Sequence, residues 1–372
     1  MNVSVKLLMI CCLSILLAGC SQASAVPTMV SDITAHNTST SLPATPRPLQ
    51  VTETPFQLSP TPDISETQTL PVEKPTGTPE PTSTVRPLLP LDAHALLGEI
   101  LFSIYPQGDL GIVKADGSDM EILLEAPNNL EINCDRHAKW LPNGQGFSYT
   151  VDDFAQAEIW VAQSTSSEAQ FLLGDAATNS AHTWSPDGQS IAYVSTHYQI
   201  MIYNLGTQTT FLLTDDQFRM AVDPAWSPDG TRIAFSGIER DIGGNQDIYL
   251  INPDGTHLKR VTNHEFVDQA PSWSPDSTKI AFSSTRDGDD VNDIFIIDIS
   301  QHTEEEGNIP QQLTFDDTLD VDPNWSPDGQ YLVYAAGTFG ASHATLFIID
   351  IQGERRFQLT KENTYFSPQW RP

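Results

Sequence analysis

Six of the seven tryptophans fall at positions 140, 184, 226, 273, 325 and 370, at intervals of 44, 42, 47, 52 and 45 residues. A near-regular period of this length belongs to chains built from repeated supersecondary units, each unable to bury its apolar face alone. Within each period the apolar residues form short runs of strand type between turn residues, with no helical face. A full unit reads "PSWSPDSTKIAFSSTRDGDDVNDIFIIDI", followed after a connection by "PQQLT". It parses as strand A ending near Trp273, strand B "KIAFSS", strand C "DIFIIDI" and strand D near "QQLT". Equivalent B strands are "EILFSI", "GFSYTV", "SIAYVS", "RIAFSG" and "YLVYAA", which makes six.

The pentapeptide "WSPDG" begins at Trp184, Trp226 and Trp325, and "WSPDS" at Trp273. Proline presets the first central position of a turn, Asp tolerates the second, and Gly takes the left-handed conformation that returns the chain. Asp276-Ser277 loses the glycine and "LPNG" at Leu141–Gly144 replaces the aspartate. A turn tolerates such changes and a catalytic aspartate does not, so the motif is expected to be a hairpin. A second turn, "KADG", "NPDG" or "DIQG", joins strands C and D. Both tight turns then lie on one face of the array. The variable B–C and D–A loops lie on the other, where function usually sits.

The first unit starts at "EILFSI" with no tryptophan before it, and the chain ends on "YFSPQWRP". The last strand A is therefore expected to complete the first unit, closing a ring and removing free edges. The fold class expected is all-β, a six-bladed β-propeller over residues 98–372, with about 46 residues per blade.

The stretch "WSPDGTRIAFSGIERDIGGNQDIYLINPDGTHLKRVT" (226–262) resembles the TolB-type, WD40-like propeller repeat. The resemblance is strong for three consecutive units from Trp184 to Thr314 and weaker in the first two blades. It implies a secreted or periplasmic six-bladed propeller that binds other proteins at its faces and central channel. The Tol-Pal translocation protein also carries a folded N-terminal α/β domain. Here a Pro/Thr-rich stretch stands in that position, so the resemblance implies the propeller and not membership of a Tol-Pal machine.

Residues 1–19 read as a lipoprotein signal peptide. Lys6 precedes an apolar run from Leu7 to Leu17, too short for a membrane span. The run ends in Leu17-Ala18-Gly19-Cys20, which resembles the bacterial lipobox, so Cys20 is the expected lipidation site. Ser21 gives no signal for inner-membrane retention. Residues 20–97 are expected to be a disordered tether, since half of residues 26–91 are Pro, Thr or Ser. Of the four cysteines only Cys134 falls in the propeller, which leaves no internal disulfide and no multi-cysteine zinc site.

The chain carries 48 acidic groups against 18 basic ones, a formal charge of −30. That excludes nucleic acid as a partner and favours cations or basic partners. Counting back from each tryptophan, Asp135, Asp268 and Asp320 stand at the fifth position and Asp223 and Asp322 at the third. A strand period of two points both offsets the same way, toward one acidic channel mouth. Asp215, Asp216, Glu265, Asp316 and Asp317 add charge from the D–A loops. Arg240, Asp241, Arg286, Asp287, Asp289 and Asp290 come from the B–C loops. The mouth is read as a binding site for a cation or a basic peptide, against the alternative that these acids only solvate loops. "DGDDVND" carries part of a calcium-loop pattern, with Val291 where an EF-hand type loop has Asp or Asn. Calcium is the one cofactor considered, through Asp287, Asp289 and Asp290.

An enzyme would rest on His137 and His182, which precede Trp140 and Trp184 by three and two residues, beside Asp135. No hydrolase motif accompanies them. The chain also ends where the ring closes, so no peptidase domain is expected to follow. The reading is a monomeric, lipid-anchored extracytoplasmic binding module for another envelope protein or peptide, touching the membrane through its lipid alone. Its alternatives are a propeller enzyme of hydrolase or lyase type at His137/His182, and a pure scaffold within an envelope complex.

Overall fold

A computed structural model describes residues 89–93, 96–105, 108–125, 137–152, 157–163, 169–177, 181–240, 244–286, 291–300, 308–337, 344–361 and 365–372. Their regular elements are strands, arranged in six sheets that are antiparallel apart from one parallel edge pair. The first blade runs from Tyr365–Trp370 through Glu99–Ile104 and Asp109–Lys114 to Glu121–Leu124. The second is Lys139–Trp140, Gly146–Asp152, Ala157–Gln163 and Ala169–Ala176. The third is His182–Trp184, Ser190–Val194, Ile200–Asn204 and Thr209–Leu212. Phe218–Trp226, Ile233–Glu239, Asp247–Ile251 and Lys259–Arg260 make the fourth. Asp268–Trp273, Lys279–Ser284, Asp293–Asp298 and Gln311–Gln312 make the fifth, and Leu319–Trp325, Tyr331–Gly337, Ala344–Asp350 and Arg355–Gln358 the sixth. The all-β six-bladed propeller expected from the repeat is the fold observed.

The C-terminal strand closes the first blade. Ile100 pairs with Trp370 and Ile104 with Tyr365, so the sheet that opens the propeller is completed by its last residues. The lead-in adds something composition hid. Leu89–Pro90, inside the stretch expected as tether, pairs in parallel with Arg355 and Arg356 as a fifth strand on the sixth blade. Leu91 and Leu96 are buried in one core cluster with Ile100 and Phe102 of the first blade and Val333 and Ile348 of the sixth. The packed unit therefore begins before residue 98.

The repeated tryptophans lock neighbouring blades. Trp140 Nε1 donates to Gln369 O, Trp273 Nε1 to Ala225 O and Trp325 Nε1 to Ser272 O, each reaching the preceding blade's innermost strand. Trp370 Nε1 donates to Leu97 O, which ties the closing strand to the lead-in.

The "SPDG" motif is a turn with its own internal bonding. Ser185 Oγ donates to Asp187 Oδ1 at 2.6 Å, and Gln189 N donates to the same oxygen at 3.0 Å. Gly188 has φ +68°. The arrangement recurs at Ser227/Asp229, Ser274/Asp276 and Ser326/Asp328. Where glycine is lost, Ser277 itself adopts φ 59° and takes a second role, accepting Asp229 N at its Oγ. The aspartates are turn braces.

Candidate functional site: the channel-side ring

Five of the six innermost strands share one distortion. His137, Asp223, Ala270, Asp322 and Ser367 all have positive φ, between 41° and 55°, and each stands three residues before its tryptophan. Register shifts between Val222 and Ala225, Gln269 and Ser272, and Val321 and Asn324 mark the same places. One extra residue on the innermost strand, with its side chain turned off the pleat, is a β-bulge, a device that re-aims side chains.

The bulge links blades across their inner ends. Ala270 N of the fifth blade donates to Asp223 Oδ2 of the fourth at 3.4 Å. Ser367 N and Oγ of the first donate to Asp322 Oδ2 of the sixth at 3.3 and 3.2 Å. Ser367 Oγ also lies 3.5 Å from His137 Nδ1 of the second blade. Burial raises Asp223 above the usual carboxylate range, while His137, the bond from Ala270 and Lys139 pull it back. Asp223, Asp322 and His137 are half-buried on the innermost strands.

The bulge also corrects the period-two expectation for Asp268 and Asp320. Asp268 pairs across from Ser284, on the side of its strand that carries Phe282 and Ile280 in the seam with the fourth blade. Asp320 pairs across from Ala336, on the side of Tyr334 and Leu332. Both carboxyls are fully buried between blades and do not line a mouth. Asp268 accepts Ser284 Oγ at 2.5 Å and Arg286 Nη2 at 2.6 Å, so Arg286 is its structural counter-charge. Asp320 accepts Thr318 Oγ1 at 2.8 Å on Oδ1, while Oδ2 has no hydrogen-bond partner among the described residues. Burial first, then Asp316, pushes its pKa up to about 8, so the group is mostly neutral at pH 7.

Arg240 is exposed at the rim and donates to Asp216 O and Phe218 O, tying a B–C loop to the preceding connection. Cys20, Asp135, Asp241, Asp287, Asp289 and Asp290 lie outside the described residues. Among the described residues no group of three His, Cys, Asp or Glu side chains could hold a metal ion.

Two serine–histidine pairs invite an enzymatic reading, and their geometry opposes it. Ser148 Oγ lies 2.6 Å from His182 Nε2, but both residues are fully buried. Trp184 Nε1 donates to the same Oγ at 2.8 Å. Ser148 Oγ also lies 3.5 Å from Lys139 O, so the hydroxyl sits in a buried network with the indole, the imidazole and a backbone carbonyl. Burial, with Lys139 and His137 adding to it, lowers His182 to about 3 and keeps the ring neutral. His182 therefore locks the seam between blades two and three and meets no substrate. In the second group Ser367 stands between Asp322 and His137. A nucleophilic triad needs the histidine in the middle, to take the serine proton while the acid orients it. Here the serine hydroxyl donates its hydrogen bond to the acid.

Ser367, Asn324 and Ser148 were not singled out from the sequence. Asn324 Oδ1 accepts Trp370 N at 2.7 Å across the closing seam. For Ser367 the available signal was the third position before each tryptophan, which reads His, Asp, Ala, Asp and Ser in five of the six units.

The family model of the TolB beta propeller domain (PD40) matches residues 181–372. A TolB homolog of Chlorobium luteolum is 32% identical over 121 residues, covering 31% of this chain and 25% of the homolog. Dipeptidyl-peptidase 5 of Porphyromonas gingivalis is 39% identical over 70 residues, covering 16% of this chain and 10% of the peptidase. The chain thus spans a quarter or less of the length of both relatives. The crystal structure of TolB from Acinetobacter baumannii superposes with a TM-score of 0.61 at 23% identity, covering 74% of this chain and 67% of that one. That likeness carries the propeller fold.

Proposed function

The chain belongs to the TolB beta propeller family, and from that premise we propose that it is a protein-binding module held outside the cytoplasm by a lipid on Cys20. The variable-loop face and the channel-side ring receive another envelope protein or peptide. The observation that carries this reading is the ring itself. A rigid closed scaffold holds half-buried Asp223 and Asp322 at left-handed positions on the innermost strands, in a chain of formal charge −30. Exposed aromatic residues accompany them on the loop side, with Tyr198 at the tip of a B–C hairpin (41% exposed) and Phe315 in a D–A loop (38%). Aromatic anchors beside directional charge are what protein interfaces use.

A photo-crosslinking amino acid at Tyr198 tests the reading in intact cells. It is expected to trap a discrete partner that the same amino acid at Asp254, exposed on the opposite C–D turn, does not. Equal or absent trapping at both positions would remove the loop face as the docking surface. The lipid is tested separately. The mature N-terminal peptide should carry lipid mass on Cys20, and Cys20→Ser should abolish it.

A further inference from the structure

A second surface lies on the tight-turn side of the disc, away from the loop face. Between the second and third blades a groove of about 550 Å³ opens over Trp184. Phe171, Leu205, Pro142 and Pro186 wall it, and the turn residues Asp187 and Gly188 form its rim. Phe171 is 54% exposed there, and Trp184 is half-buried where Trp140 and Trp273 are nearly closed off.

The other seams of the same molecule show what belongs in this position. Between the fourth and fifth blades the Arg232 guanidinium lies over the Trp273 ring, 4.8 Å from its centroid, and Nη2 donates to Ser277 O at 2.9 Å. Between the first and second blades Arg371 lies over Trp140 at 5.0 Å, and its Nε donates to Gly144 O at 2.8 Å. Ser277 and Gly144 are each the fifth residue of the turn motif that begins with the capped tryptophan. The two sites therefore share one recipe: a guanidinium stacked on the indole, with one N–H on the carbonyl four residues beyond it. In the third blade that carbonyl belongs to Gly188.

The position that supplies Arg232 in the fourth blade is Gly146 in the second, six residues beyond its tryptophan in each case. No side chain fits there, because a Cβ on Gly146 would lie 2.5 Å from Ala162 O. Among the described residues no guanidinium lies over Trp184. The indole and the turn carbonyl that receive an arginine elsewhere thus face an open groove. Trp226, one seam on, is also half-buried, but its Nε1 turns back to Gly230 O of its own turn.

We propose that this groove receives an arginine side chain presented by an extended basic segment of a partner protein. The guanidinium stacks on Trp184 and donates to Gly188 O, while its methylenes run along Phe171 and Pro186. A planar fork can stack and donate in its own plane together, which an ammonium cannot, so arginine is preferred over lysine. Asp187 stays ionised beside it, since the bond from Ser185 holds that carboxyl below the usual range. The acidic surface draws the basic segment in.

The test uses the full chain with its tryptophans labelled as 5-fluorotryptophan, and a blocked tri-arginine peptide as the probe. Titration should shift the Trp184 fluorine signal saturably. The isosteric tri-citrulline peptide, which has the same shape without the charge, should leave it in place. Trp184→Leu should weaken binding about five-fold or more. Phe171→Ser, an exposed site that leaves the core alone, should weaken it measurably if Trp184→Leu fails to fold. Equal binding of the citrulline peptide, a shift at other tryptophans only, or full affinity in the folded variants would overturn the proposal. These residues lie on the opposite face from Tyr198, so failure here leaves the loop-face reading standing, and the converse holds.

Discussion

Arg286 Nη2 lies 2.6 Å from Asp268 Oδ2 in the seam between the fourth and fifth blades, with the carboxylate wholly out of solvent. The guanidinium also packs over Phe282 and Phe295, each 5.2 Å away. Removing one partner of such a pair leaves an uncompensated buried charge, which costs about 3–5 kcal/mol. Arg286→Met should destabilise the chain by that order in urea unfolding. Adding Asp268→Asn should restore much of the loss, because the remaining group is then neutral. A single-mutant loss below about 1 kcal/mol would mean the pair is solvated.

The equivalent acid one blade on has no such partner among the described residues, and its stability effect runs with pH. Asp320 titrates near 8 when folded and near 3.9 when unfolded. Between those values the folded chain holds a proton that the unfolded chain has lost, so stability falls as pH rises and levels off above about 8. Asp320→Asn removes this dependence. The variant should gain on wild type by at most about 1.4 kcal/mol per pH unit from pH 5 to 8. Melting temperatures of both proteins at each pH check it. The paired difference cancels the raised Asp223 and Asp247, which titrate in both proteins. A difference that does not change with pH would show that Asp320 is ionised throughout.

The lead-in should act as a clasp on the closing seam. Leu91 and Leu96 are buried between the first and sixth blades, and Leu97 O receives Trp370 Nε1. Burying one leucine is worth about 1.5–3 kcal/mol, and in a chain of this size each kcal/mol moves the melting temperature by about 2–4 °C. A chain begun at Gly98 should therefore melt well below one begun at Ser83. Deleting Tyr365–Pro372 instead should be worse, since it uncovers two sheet edges and removes the buried Trp370. Equal melting of the chains begun at 83 and 98 would show that the fifth strand carries no load.

The propeller was legible because its signals are local and repeated. Each tryptophan, each Pro-Asp-Gly turn and each "IAFS"-like strand reports the same geometry, and the orphan "YFSPQWRP" shows where the ring closes. The direction of individual side chains was not legible. Period two holds only while the strand is regular, and the bulge at Asp223, Ala270 and Asp322 adds a residue that no composition signal marks. That one residue moves Asp268 and Asp320 from an imagined mouth into buried seams. His182 was misplaced for a related reason, because its role depends on Ser148, 34 residues away on the preceding blade. The strand at Leu89–Pro90 was hidden by its proline-rich surroundings. Proline is tolerated at a sheet's outer edge, where its missing N–H faces away from the ladder.

The channel-side acids remain the test of the loop-face function, and the structure allows charge to be separated from scaffold. Asp223 and Asp322 each accept a backbone N–H from the next blade through one carboxylate oxygen. Asparagine keeps an acceptor oxygen at that place while removing the charge. Asp223→Asn/Asp322→Asn should therefore fold with a melting temperature close to wild type, and any change in binding can be assigned to charge. With hexalysine as the probe, wild-type affinity should fall steeply between 50 and 300 mM salt, because exposed attractions are screened over roughly 10 Å at 0.1 M. The double variant should bind more weakly at low salt and show a flatter salt dependence. Calcium should raise the wild-type melting temperature more than that of the variant if the ring takes a cation. Identical salt curves and identical calcium responses for the two proteins would reduce Asp223 and Asp322 to inter-blade struts and leave the exposed aromatic residues to carry the interface.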